Sequence, residues 1–143
     1  MLSYFDTRFG IPLPTFDAYD LLERRHVFIV LSHSARITAY ASLKVQNTGL
    51  PVLRKVNHHL KPTTAALQRF GSHARRNIVS LTSQELVSLL QHSERPWPDD
   101  SARELTPGYV VLRVDGHVVG CGLYTPGRLR SQIPKWQVQH QHL

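Results

Sequence analysis

The side chains best equipped for chemistry in this sequence are cations. Arg128, Arg130 and Lys135 fall in one short stretch, with Ser131 and Gln132 between them and Trp136 directly after. A guanidinium can bind phosphate bidentately, and long cationic side chains around a turn can follow a phosphate backbone. Ser131 and Gln132 offer hydrogen bonds to a base or sugar. Trp136, followed by Tyr124, offers a face on which an unpaired base can stack. Arg75, Arg76 and Asn77 form a second cluster. Arg54, Lys55 and Lys61 form a third, with His58 and His59 between them. Contacts of this kind add salt-sensitive affinity with little sequence choice. The same cations also suit a plain solvated surface, and sequence does not say which clusters share a face.

Other chemistries find less support. The nine histidines include the pair His58-His59 and the pair His140-x-His142. Adjacent histidines diverge on any regular element, and neither pair has an acidic or cysteine ligand nearby, so no metal site is expected. Cys121 is the only cysteine, which excludes a disulfide within the chain. Between Gly120 and Gly122 it reads as a small core residue, not as a nucleophile. No nucleophile-elbow pattern is present. The few carboxylates sit mostly at helix starts or in residues 93–107, so a paired-carboxylate hydrolase is not expected. No cofactor is implied.

The charge has a telling distribution. The chain has 143 residues, 17 Lys and Arg against 10 Asp and Glu, and a net charge of +7. From Arg24 to Gln84 there are ten basic residues and no acidic one. The flanks together hold seven basic and ten acidic residues, so the whole excess comes from that one segment. Such a field attracts polyanions. The longest apolar run, Val27–Leu31, is far shorter than the ~20 residues of a membrane helix. The N-terminus has no signal-peptide pattern. No membrane partner is expected, and a cytoplasmic location is.

Elements must position these groups. Met1–Pro14 reads as irregular, and Thr15 as the cap of a short helix over Phe16–Glu23. His26–Leu31 reads as a buried strand. Ile37–Val45 alternates with period two, as a half-buried strand does. Leu50–Val56 is a further strand. Lys61-Pro62-Thr63-Thr64 opens a helix that Gly71 is placed to end. Asn77–Leu81 is a strand candidate. Thr82-Ser83-Gln84-Glu85 is a capping box that starts a helix running to about Gln91. Residues 93–107 read as a polar loop anchored by Trp97. Tyr109–Val114 and His117–Tyr124 flank Asp115-Gly116, a type I′ hairpin signal. Gly120 and Gly122 share one strand face, for a barrel bend or for close approach of another backbone. Arg128–Lys135 reads as a basic loop. Phe28, Phe70 and Tyr109 read as core.

Several of these residues follow one another in a familiar order. Gly108-Tyr109-Val110-Val111, Asp115-Gly116, Val119-Gly120-Cys121-Gly122 and Gly127-Arg128-Leu129-Arg130-Ser131-Gln132-Ile133-Pro134-Lys135 resemble the C-terminal PUA-like RNA-binding module of the Sun/Fmu-type RNA cytosine-5 methyltransferases. Arg130-Ser131 stands where that family usually has Lys-Asn. The helix from Thr82, the segment from Gly49 to Thr64, and the opening Phe9-Gly10-Ile11-Pro12 fit the same accessory region. The resemblance thus spans about Phe5 to Lys135. It implies an α+β fold: a PUA-like, mixed or antiparallel, partly closed β-barrel with short helices, over residues 79–143. A small basic α+β lobe over residues 1–78 precedes it, and a flexible tail begins at about 137.

The resemblance also implies RNA binding without methylation, because no S-adenosylmethionine-binding Gly-rich loop is present. The expectation is a free-standing, non-catalytic protein that recognises structured rRNA or tRNA. It would assist RNA modification or ribosome biogenesis beside a separately encoded RNA methyltransferase. Two alternatives stay open: a small RNA-processing hydrolase or nuclease that uses histidines, and a protein-interaction subunit of an RNA methyltransferase.

Overall fold

A computed structural model describes residues 1–32, 49–98, 100, 104–135 and 137. The alternating segment Ile37–Val45, the aromatic Trp136 and the tail from 138 lie outside the described residues. Among those described, nine strands form two sheets, joined by three short α-helices.

The chain opens with helix α1, Ser3–Phe9, where an irregular segment was expected. The helix forms because Phe5 and Phe9, four apart, bury on one side while Asp6 and Arg8 suit the two ends of the helix dipole. Gly10 closes it at φ 68, a left-handed conformation that glycine adopts without strain. A 3-10 turn, Leu13–Phe16, follows.

Next come β1 (Tyr19–Arg24) and β2 (Val27–Ser32), paired antiparallel from Tyr19–Ser32 to Arg24–Val27. The helix expected over Phe16–Glu23 is therefore absent: Phe16 ends the 3-10 turn and residues 19–23 belong to β1. The turn from β1 to β2 consists of Arg25 and His26, both at positive φ (49° and 66°). That is the turn class which normally calls for Asn-Gly or Asp-Gly, so the sequence carries no hairpin signal there. β3 (Leu50–Val56) and β4 (His59–Pro62) complete an antiparallel four-stranded sheet in the order β1-β2-β3-β4.

Helix α2, Thr64–Phe70, starts as expected at a threonine. The Thr63 hydroxyl accepts from the Ala66 N–H at 2.9 Å and donates to the Pro51 carbonyl at 2.7 Å. Gly71 ends it in a right-handed conformation and leads into a 3-10 turn, Gly71–His73. β5 (Ile78–Leu81) and helix α3 (Ser83–His92) follow. The capping box is complete: the Glu85 N–H donates to Thr82 Oγ1 at 3.0 Å, and the Thr82 N–H donates to Glu85 Oε1 at 2.9 Å.

The last four strands are β6 (Glu94–Trp97), β7 (Gly108–Val114), β8 (His117–Thr125) and β9 (Gly127–Ser131). The second sheet runs β5-β7-β8-β9-β6, with β5 parallel to β7 and every other pair antiparallel. Two expected loops are thus partly strand. Residues 93–107 contain β6, and Arg128–Lys135 begins with β9. Trp97 sits in β6 within the core. Tyr124 is enclosed too, at 5% exposure, and presents no face for stacking. Asp115 and Gly116 make the expected hairpin turn, at φ 50° and 80°. The two strand glycines serve close approach. A side chain at Gly120 would meet Ile133 at 2.6 Å, and one at Gly122 would meet the Arg130 carbonyl at 3.2 Å.

Two cores meet at β7. Phe5, Phe9, Phe16, Phe28 and Phe70 pack with Leu53 and Leu67, and that cluster continues into Val111 and Cys121 of the second sheet. On the other face, Val110, Leu112 and Leu129 pack with Leu89 of α3, Trp97 and Ile133. Val110, Val111 and Leu112 are all fully buried, so β7 is covered on both sides.

Candidate nucleic-acid interface

The sheet register decides which of the predicted cations face outward together. Arg128 and Arg130 flank the buried Leu129 on β9, so alternation puts both on the open face. Between them stands Glu94 of the neighbouring strand β6. Its Oε1 lies 3.0 Å from Arg128 Nη1 and its Oε2 lies 3.1 Å from Arg130 Nε. Two cations thus share one carboxylate, and the trio keeps one net positive charge. Lys55 is likewise paired, with its Nζ 2.7 Å from Glu23 Oε1 and 5.2 Å from the centroid of the Phe28 ring. Arg76 donates to the Asp6 and Thr7 carbonyls at the end of α1. Asn77 is buried at φ 54. Its Nδ2 donates to the Arg8 carbonyl at 2.8 Å, and its Oδ1 accepts from the Thr106 N–H at 2.9 Å. It is a joint between segments, not a surface contact.

Among the described residues, openings border several of these side chains. The first, of about 270 Å³, is lined by Arg54, Lys61, Thr63, Thr64, Gln132 and Pro134. Arg54 and Lys61 come from β3 and β4, where they are cross-strand partners. Gln132 follows β9, fixed by its own N–H donating to the Cys121 carbonyl at 2.8 Å. One member of the C-terminal group and two of the N-terminal group therefore meet in a single groove. Lys135 is exposed nearby in sequence, and Ser131 uses its hydroxyl to accept the Ile133 N–H at 3.2 Å.

The second opening, of about 450 Å³, is lined by Arg75, Arg76, Asn77, Ser80, Glu104 and Arg113. Arg113 was not among the predicted contacts. It reaches the groove because the parallel pairing of β5 with β7 places it opposite Ser80, and no local sequence signal announces that pairing. The groove gathers three arginines against one carboxylate.

The third opening, of about 560 Å³, lies between α1, β4 and β7 and is lined mainly by apolar and aromatic groups: Tyr4, Leu60, Tyr109 and Leu123, with His59 and Arg8. The His59 and Tyr109 rings are 6.3 Å apart and inclined by 30°. Arg8 pins the rim through Nε to the Tyr109 carbonyl at 2.7 Å and Nη2 to the Thr106 carbonyl at 2.7 Å. Burial lowers the Arg8 pKa. Burial also raises the Tyr4 and Tyr109 phenols, and pushes the Cys121 thiol beneath them up to about 12. The thiol stays protonated at neutral pH. Among the described residues, no three His, Cys, Asp or Glu side chains gather to hold a metal ion. No helix among them is long and apolar enough to cross a membrane.

Comparison with known families bears on the second sheet. Residues 76–139 match the family model of the methyltransferase RsmF PUA domain. No curated protein matches the chain. The PUA match takes in β5, α3 and β6–β9, and with them Arg76, Arg113, Arg128, Arg130 and Gln132. Arg54, Lys61 and Arg75 precede it, as does the part of the resemblance drawn from Phe5 to Arg75. With its mixed sheet and short helices the fold is α+β and PUA-like. A PUA domain of an RNA methyltransferase points to RNA binding, and the match lies in that domain alone, with no methyltransferase domain matched.

Proposed function

We propose that this protein binds structured rRNA or tRNA without catalysing a reaction of its own. In this reading it assists RNA modification or ribosome biogenesis in the cytoplasm, beside a separately encoded RNA methyltransferase. The observation that carries the reading is the coincidence of the PUA match with cationic grooves on the same body. Arg54 and Lys61 meet Gln132 in one, and Arg75 meets Arg76 and Arg113 in the other. Arg54, Lys61, Arg75 and Arg113 have no carboxylate within ion-pair distance among the described residues. Their charge is open to phosphate.

Gel-shift titration against tRNA and rRNA fragments over a salt series tests this. Log affinity is expected to fall linearly with log salt, by roughly 0.7–0.9 per phosphate contact. Replacing Arg54 and Lys61 by Ala should make that slope shallower by about 2. Absence of salt-sensitive binding at low ionic strength overturns the proposal.

A further inference from the structure

We propose that the aromatic cleft between α1, β4 and β7 takes one unpaired RNA base, while Lys61 and Arg54 hold the adjoining phosphate. This rests on the RNA-binding reading above and specifies which element of the RNA is held.

The first observation is the shape and lining of the cleft. At about 560 Å³ it falls within the range of small-ligand sites, and its lining is mostly apolar and aromatic with a few polar groups, as such sites are. His59 is exposed and Tyr109 half-buried, so both rings can be reached from outside. A base sandwiched between two parallel rings needs them roughly 7 Å apart, twice a carbon–carbon contact. The His59 and Tyr109 centroids stand at 6.3 Å, so a small swing of the exposed imidazole admits a base.

The second observation is charge. β4 is a wall of two openings: His59 and Leu60 line the cleft, whereas Lys61 and Pro62 line the groove that also holds Arg54. At a strand rise of about 3.3 Å per residue, Lys61 lies about 7 Å along the strand from His59. That is within the reach of one nucleotide. Among the described residues, no carboxylate lines either opening. A base flanked by its phosphate matches an apolar slot beside a cationic one, and an acidic or purely apolar peptide matches only one of the two.

The third observation is rigidity. The guanidinium of Arg8 is committed to Tyr109 and Thr106. Gly108, at φ +133, leaves room for it, since a side chain there would meet Arg8 at 3.1 Å. The rim is held before any ligand arrives, which limits the ordering cost of binding.

The test uses the full chain and two RNAs, a hairpin with an unpaired loop carrying 2-aminopurine and a blunt duplex of the same length. Wild-type protein should quench the 2-aminopurine and favour the loop RNA. His59→Ala, at an exposed position, should weaken loop binding about tenfold and abolish the quench. Its duplex affinity and salt slope should be unchanged. His59→Phe should restore both signals, because stacking needs a ring and not a proton. If loop RNA binds with salt dependence but without quench, and His59→Ala changes nothing, the cleft serves another occupant such as a protein and the inference fails alone. Equal loss on both RNAs also overturns it. If wild-type protein binds neither RNA, the RNA reading itself falls.

Discussion

Cys121 and Asn77 show how much a single side chain reveals before its surroundings are known. Cys121, flanked by glycines, reads from sequence as core, and it is fully buried. Its N–H donates to Thr64 Oγ1 at 3.2 Å. Burial raises its pKa from an ordinary 9.0 to about 12. Between those values the native state holds a proton that the unfolded chain releases. Stability from this group is therefore complete below pH 9 and declines as pH rises towards 12. Tyr4, raised for the same reason, adds to the decline above its ordinary 10.0. Urea titrations across that window should show stability falling, and Cys121→Ala should flatten the curve; an identical slope in both proteins would contradict the buried-thiol account. Asn77 is the opposite case. Beside Arg75 and Arg76 it looks like part of a basic contact, and only the fold shows that its amide links Arg8 to Thr106. A buried amide and an exposed one have the same neighbours in sequence.

Elements were legible where their determinants are local. The capping box at Thr82, the threonine start of α2 and the Asp115-Gly116 hairpin each depend on residues within one turn. β6 and β9 depend on each other across thirty or more positions, from Glu94–Arg130 to Trp97–Gly127, and no short window of sequence contains both. Pro96 further disguises β6, although a proline is tolerated there because β6 is the edge of its sheet. The pairing also sets the electrostatics, since it brings Glu94 between Arg128 and Arg130. These are exposed ion pairs worth at most about 1 kcal/mol each to folding. Glu94→Gln should therefore leave thermal stability nearly unchanged. In the proposed RNA-binding role it should raise affinity roughly threefold at low salt by freeing two guanidinium groups. A gel-shift comparison checks this, and unchanged affinity would mean that β9 does not face the RNA.

At the scale of the whole molecule, the α+β class follows from the mixture of patterns, and the acid-free stretch from Arg24 to Gln84 is visible by eye. How the two sheets share an interior is not visible, because β7 looks like any hairpin strand until both its faces are seen to be covered. Val111 joins the phenylalanine cluster while Val110 and Leu112 join the other core. A chain so connected should unfold in one step. Far-UV circular dichroism and Trp97 fluorescence, with Trp136→Phe removing the second indole, should give coincident transitions. Val111→Ala should shift both together, by about 2 kcal/mol, and separated transitions would refute the coupling. The same continuity bears on how such a domain can be transplanted. A fragment cut at the family boundary, beginning at residue 76, would leave behind Phe5, Phe9 and α2, and would turn Val111 and Cys121 out to water. The portable unit for grafting or recombinant expression is thus larger than the homologous one, and it includes the N-terminal helix.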